Sequence, residues 1–279
     1  MGVDIKWLDN MIKEHLIWAE YNLETANKLL TMNPFENFNV LNNLSGIINS
    51  VALTLTVLFF MIDFCNKAML IKVNTPEEIF KLIFKIFVAK AFVTQASGLM
   101  SGIYSEFSVL ADGISSSSIH IIPNYNGFVN DNDAIKLFLS NETIKELTNN
   151  PGILGISVLM KYISLLPTML IIWVACLVVS VILLGRLFEV IIYTAIAPIP
   201  LSTLAGEGTH DIAKNFIKNY CAVCLQAFVI VAIFSAYGVL NNVLTSAGCD
   251  GSIMVTVSTL TLACAIAKSG SIAKGICGC

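Results

Sequence analysis

Apolar residues recur at spacings of three and four from the start of the chain. Ile5, Leu8, Ile12, Leu16, Ala19, Leu23, Ala26 and Leu30 fall on one helical face, with Asp9, Lys13, Glu20, Glu24 and Lys28 largely elsewhere. That period predicts an amphipathic helix within 1–34, stopped at Asn33-Pro34. Such a helix either lies on a membrane surface or packs against other helices. The segment has neither the unbroken apolar core nor the small-residue cleavage site of a signal peptide.

Long apolar runs follow. The first, about Gly46 to Ile71, is long enough for the ~30 Å hydrocarbon core of a bilayer. Near its far end Asp63 and Lys67 stand four apart, acid first, which suits a helical ion pair. Val73-Asn74-Thr75-Pro76 predicts a turn, and Pro76 with Glu77 suits a new helix start. A second span over about Ile79 to Tyr104 makes 46–104 a two-helix membrane hairpin. Lys81 and Lys85 share a face near one end and are expected to snorkel to the interface. Lys90 is too deep for that and should face protein or water, because an intramembrane ammonium costs about 2.5–3.5 kcal/mol. Thr94, Gly98 and Gly102 form a small-residue seam for close packing, within one subunit or between subunits.

Residues 105–151 read as an acidic external loop, with a Ser115–Ser118 run, a turn cluster over Pro123–Gly127 and a short helix from Asp133 to Leu147. The C-terminal membrane region, 152–279, opens with a span within 153–184 that contains Lys161 and Pro167. Arg186 and Glu189, three apart, are expected to pair at its end. The stretch 188–208 is apolar, yet Pro198 and Pro200 remove two helical hydrogen bonds and free the carbonyls of Thr194 and Ile196. Backbone freed at membrane depth has to be buried in protein or meet water. With Gly206 and Gly208, this stretch reads as a hinge: either a re-entrant segment or a Pro-kinked span. Thr209 is placed to cap the next helix, with Asp211 in its first turn and a course to about Tyr237. Asn215, Asn219 and Gln226 make a polar stripe along that helix. A turn over Gly248–Ser252 precedes a last span over about Ile253 to Ala267.

Composition gives the same picture. The 279 residues are 56% hydrophobic and 13% charged, with a mean hydropathy of +0.78. A soluble domain carries about 25% charged residues, so this chain lacks the polar surface to cover itself in water. The fold class is all-α, a polytopic helical membrane protein with about five transmembrane helices, the Pro-broken segment and the N-terminal amphipathic helix. A net charge of −3 without a basic cluster argues against a nucleic-acid-binding surface.

The eight cysteines lie mostly in apolar runs, where they act as small hydrophobes. Cys221-x-x-Cys224 has the spacing of a redox pair, but no His or further Cys pair accompanies it, and Cys277-x-Cys279 matches no lipidation box. His15, His120 and His210 are far apart, and no phosphate-binding loop or nucleophile motif occurs. No catalytic residue, metal or cofactor is expected.

Cations gather at Lys67, Lys72 and Lys81, at Arg186, Lys214 and Lys218, and at Lys268 and Lys274. Placing all three groups inside puts the N-terminal helix and the acidic loop outside. Five full spans meet that pattern if 188–208 enters and leaves on the same side, so the charges favour the re-entrant reading.

The run Leu187 to Gly208 (LFEVIIYTAIAPIPLSTLAGEG), followed by Lys214 to Tyr220 (KNFIKNY) and Ala222 to Gln226 (AVCLQ), resembles the TrbL-type polytopic subunit of conjugative type IV secretion systems. The nearest version is that of mobile elements in Gram-positive Firmicutes. The similarity is sharpest over 186–228 and looser from the first span to the end. It implies a cytoplasmic-membrane protein with its N-terminus outside and its C-terminus cytoplasmic, assembled as a homo-oligomer, pentameric in better-known relatives. It further implies a place beside a transfer ATPase and other channel proteins, helping a relaxase-bound single DNA strand across the lipid membrane. The family offers no catalytic residues. A secondary transporter with a broken-helix site is the alternative, but such proteins usually show two related halves, and no second Pro-broken segment is present. A membrane-embedded enzyme would need a cluster of intramembrane His, Asp or Glu, which is missing.

Overall fold

The computed structural model describes residues 5–31, 35, 39–69, 76–114, 133–149, 156–246 and 252–279. Every regular element among them is helical: α1 (Ile5–Thr31), α2 (Asn39–Met69), α3 (Pro76–Thr94), α4 (Ala96–Ile114), α5 (Asp133–Lys136), α6 (Asn141–Asn149), α7 (Ile156–Ile196), α8 (Pro198–Ser202), α9 (His210–Ser246) and α10 (Ser252–Cys277). The stop at Asn33-Pro34, the turn before Pro76, the Ser115–Ser118 and Pro123–Gly127 stretches, and most of the Gly248–Ser252 turn lie outside the described residues.

Among the described residues, four stretches are long and apolar enough to cross a membrane: Gly46–Lys67, Ile156–Ala205, His210–Leu244 and Ser252–Cys277. Their outward faces remain apolar. Met160, Leu170, Val181 and Phe188 on α7 are exposed, an arrangement suited to lipid and costly in water. The chain is therefore a multi-pass, all-α membrane protein. The stretch expected as the second span is α3 and α4, joined through Gln95. Helical bonds carry across that joint (Gln95 N to Ala91 O, 3.0 Å; Leu99 N to Gln95 O, 2.9 Å), and α4 continues to Ile114, into the segment expected as loop.

The chain divides into two compact units. One holds residues 1–30, 113–184 and 229–269. In it α1 buries Leu8, Ile12, Leu16 and Ala19, the face its periodicity marked. Trp7 meets Tyr162 edge-on at 5.4 Å, and Trp18 stacks on Trp173 at 5.1 Å. Of the two roles open to α1, it packs against other helices. Asp9 is also buried, because its Oδ1 accepts the backbone N–H of Ile135 at 2.9 Å. The single helix expected over 133–147 is two helices, α5 and α6. Ser140 interrupts them: its Oγ accepts the N–H of Thr143 at 3.4 Å, so it caps α6.

The other unit holds residues 31–112, 185–228 and 270–279. Here α8 packs against both α2 and α3. Ala52, Val93, Met100, Tyr104, Val190, Ala197, Leu201 and Tyr220 share one buried core.

Candidate functional site

The second unit collects most of the residues singled out in the sequence. Three of its elements meet at an ionic cluster. Asp63 is 7% exposed near the end of α2. Its Oδ2 lies 3.7 Å from Lys67 Nζ, the expected pair four residues on, and 3.0 Å from Lys85 Nζ on α3. Lys67 in turn pairs with Glu207, in the turn before α9. Lys85 thus has an ion-pair partner on the neighbouring helix, which its own helix considered alone did not suggest. The row Lys85–Asp63–Lys67–Glu207 ties α2, α3 and the 206–209 turn together.

That turn and the helix before it are more continuous than the broken segment expected over 188–208. The chain stays helical to Ile196, Ala197 keeps helical dihedrals (φ −46°, ψ −39°), and Leu201 N bonds Ala197 O at 3.2 Å. Pro198 stands at the first position of α8, where its missing N–H costs little. The reversal comes after a short 3-10 turn, Thr203–Ala205, where Gly206 becomes extended (φ −98°, ψ 142°). Gly206 is buried, and a Cβ on it would stand 2.7 Å from Thr209 Oγ1. Thr209 Oγ1 donates backward to Thr203 O at 2.8 Å, so it staples the turn instead of capping α9 forward as expected. Gly208 is exposed, with open space around it.

The core beside the turn is fastened by polar bonds. Tyr220 Oη donates to Met100 O at 2.7 Å and lies 3.4 Å from Thr194 Oγ1, which itself donates to Val190 O at 2.9 Å. Arg186, 3% exposed, donates from Nε to Val223 O at 3.2 Å, with its guanidinium 5.9 Å from the Tyr104 ring centre. The expected Arg186–Glu189 pair does not form: Arg186 turns into the core while Glu189 is exposed. An aromatic face and a buried carbonyl hold this cation.

The remaining sequence-marked residues occupy two helix faces. Lys90, Thr94, Gly98 and Gly102 are all exposed along α3 and α4, and a Cβ on Gly102 would meet no atom within 4 Å. On α9, Asn215 is exposed, Asn219 is half-buried, and Gln226 lies against α10. Its Nε2 would be 3.4 Å from a Cβ on Gly270, so glycine at 270 makes room for this amide. Sequence reading missed Gly270, because nothing in the sequence pairs this glycine with an amide more than forty residues away. Cys221 is half-buried, Cys224 is buried, and both are free thiols. Among the described residues no group of three or more His, Cys, Asp or Glu is arranged to hold a metal ion.

No curated protein and no solved structure matches the chain. The family model described as TrbL/VirB6 plasmid conjugal transfer protein matches residues 56–269, from the middle of α2 into α10 and well over half of the sequence. The chain therefore belongs to the TrbL/VirB6 family of conjugal transfer proteins, as the run from Leu187 to Gln226 indicated.

Proposed function

We propose that this protein is a membrane-embedded channel or scaffold subunit of a conjugative type IV secretion system, and that it assists transfer of relaxase-bound single-stranded DNA across the cytoplasmic membrane. The family match over 56–269, on a chain with four membrane-capable helices among its described residues, carries this reading. The part is non-enzymatic and needs no cofactor: it is a conduit and assembly role, in a Gram-positive mobile element, beside other channel proteins and a transfer ATPase. The transporter alternative loses its motivation, since α7 and α8 form a nearly continuous helix where an unwound substrate site was expected.

The subunit is read as a homo-oligomer that uses the exposed Lys90, Thr94, Gly98 and Gly102 face, together with Asn215, for contacts between copies or a wet interior. The N-terminus is outside and the C-terminus cytoplasmic. In support, Asp9 of α1 bonds Ile135 of the acidic loop, which suits a location of these two segments on one side of the membrane, and the cation pattern of the sequence favours the cytoplasm for the lysine-bearing turns. This orientation takes α3 and α4 together as a further span beside the four membrane-capable helices found among the described residues.

Deleting the gene in a donor cell should abolish DNA transfer with growth unchanged, and restoring it in trans should recover transfer. Normal transfer frequency in the deletion strain overturns the proposal. Lys90→Glu should impair transfer or assembly. External labelling of single cysteines should reach position 120 and miss position 210; labelling of both rejects the orientation.

A further inference from the structure

Beside the ionic cluster lies a cleft of about 520 Å³, lined by Lys67, Lys81, Lys85, Glu207 and His210 at its polar positions and by Phe84, Val88, Phe92 and Leu204 among its apolar ones. The size falls within the usual range for small-ligand sites. Its charges do not cancel. The carboxylate of Asp63 is engaged by Lys67 and Lys85 and that of Glu207 by Lys67, and Lys81 has no ionic partner among the described residues. The cleft thus offers a surplus ammonium beside two others, against a mostly apolar wall. The outward face of the same helix is aromatic: Phe80, Phe84 and Phe87 are all exposed.

We infer that this cleft binds an anionic phospholipid, with the headgroup phosphate at Lys81 and Lys85 and the first part of an acyl chain along Phe84, Val88 and Phe92. Lysine binds phosphate as a point charge, and basic pockets between membrane helices hold acidic headgroups. An amphipathic ligand matches both ends of the cleft. Free phosphate would leave the apolar wall wet. A DNA strand needs a basic groove tracking several nucleotides, whereas the cations here sit at one spot. The inference rests on the membrane-spanning fold and does not depend on the conjugation role.

Native mass spectrometry of the full-length protein in non-ionic detergent tests it, with equal amounts of phosphatidylglycerol and phosphatidylcholine added. Retention should favour phosphatidylglycerol about tenfold, and Lys81→Gln should lower that preference about fivefold, the effect expected of one lysine at an anionic lipid. Lys81 is exposed and holds no other element, so the variant should keep the wild-type melting temperature. Lys274→Gln, which removes an exposed cation outside the cleft, should retain the wild-type preference. Equal retention of the two lipids overturns the inference. So does an equal loss in both variants, which marks diffuse surface charge. Displacement of phosphatidylglycerol by equimolar inorganic phosphate, or by a single-stranded oligonucleotide, overturns it in favour of a free-phosphate or a nucleic-acid site.

Discussion

Removing the Asp63 carboxylate while keeping the shape of the side chain, as in Asp63→Asn, should destabilise the protein more than removing its closest cation. The structure supplies the reason. Lys85 Nζ stands 3.0 Å from Asp63 Oδ2, with the two side chains 19% and 8% exposed. At an effective dielectric constant of about 20, two charges that close attract by roughly 5 kcal/mol before desolvation is subtracted. Desolvation removes most of this, and a pair in contact typically retains a coupling of about 0.5–3 kcal/mol. Asp63→Asn strands Lys85 without an anion, whereas Lys67 keeps Glu207. Lys85→Gln leaves Asp63 still served by Lys67 at 3.7 Å. The expected costs are about 2 kcal/mol for Asp63→Asn and about 1 kcal/mol for Lys85→Gln, with the double variant no worse than Asp63→Asn alone, a coupling of about 1 kcal/mol. Unfolding of the purified protein in mixed micelles, titrated with sodium dodecyl sulfate, measures all four corners of the cycle. Additive costs, within about 0.5 kcal/mol, would refute the reasoning, because independent sites add.

Three further outcomes are expected. Gly206→Ala should cost about 1 kcal/mol, since the new Cβ at 2.7 Å displaces Thr209 Oγ1 from its bond to Thr203 O; on a Thr209→Ala background it should cost almost nothing in the same titration. Tyr220→Phe should lose about 0.6–1 kcal/mol with the Met100 O bond, and wild-type stability in that variant would show the bond to be idle. Asp9→Ala leaves the buried Ile135 N–H without its carboxylate acceptor and should cost about 1–3 kcal/mol, speeding amide exchange at Ile135 and limited proteolysis within 105–151. Asp9→Asn, which keeps an acceptor oxygen, should do so far less.

The sequence by itself determined the parts of the fold that depend on local pattern and solvent. Leu8, Ile12, Leu16 and Ala19 mark the buried face of α1 because a helix with charged residues on its other faces can bury only one stripe. The apolar runs declared the membrane, Pro76 marks the start of α3, and the LFEVIIYTAIAPIPLSTLAGEG run pointed to the family. Neighbours distant in sequence were settled only by the tertiary structure. The polar stripe of α9 could meet a neighbouring helix or water, and nothing in its pattern says which helix it meets, so the Gln226 and Gly270 contact was not legible. Lys85 shows no ion-pair partner while its helix is considered alone; α2 places Asp63 beside it. Arg186 and Glu189 are close enough in sequence to pair, yet the ring of Tyr104 and the carbonyl of Val223 draw the guanidinium inward. Prolines 198 and 200 remove donors wherever they stand. Whether that breaks a helix or merely restarts it depends on the packing of Ala197 and Leu201 in the core of the second unit, and here the packing keeps the chain helical to the turn.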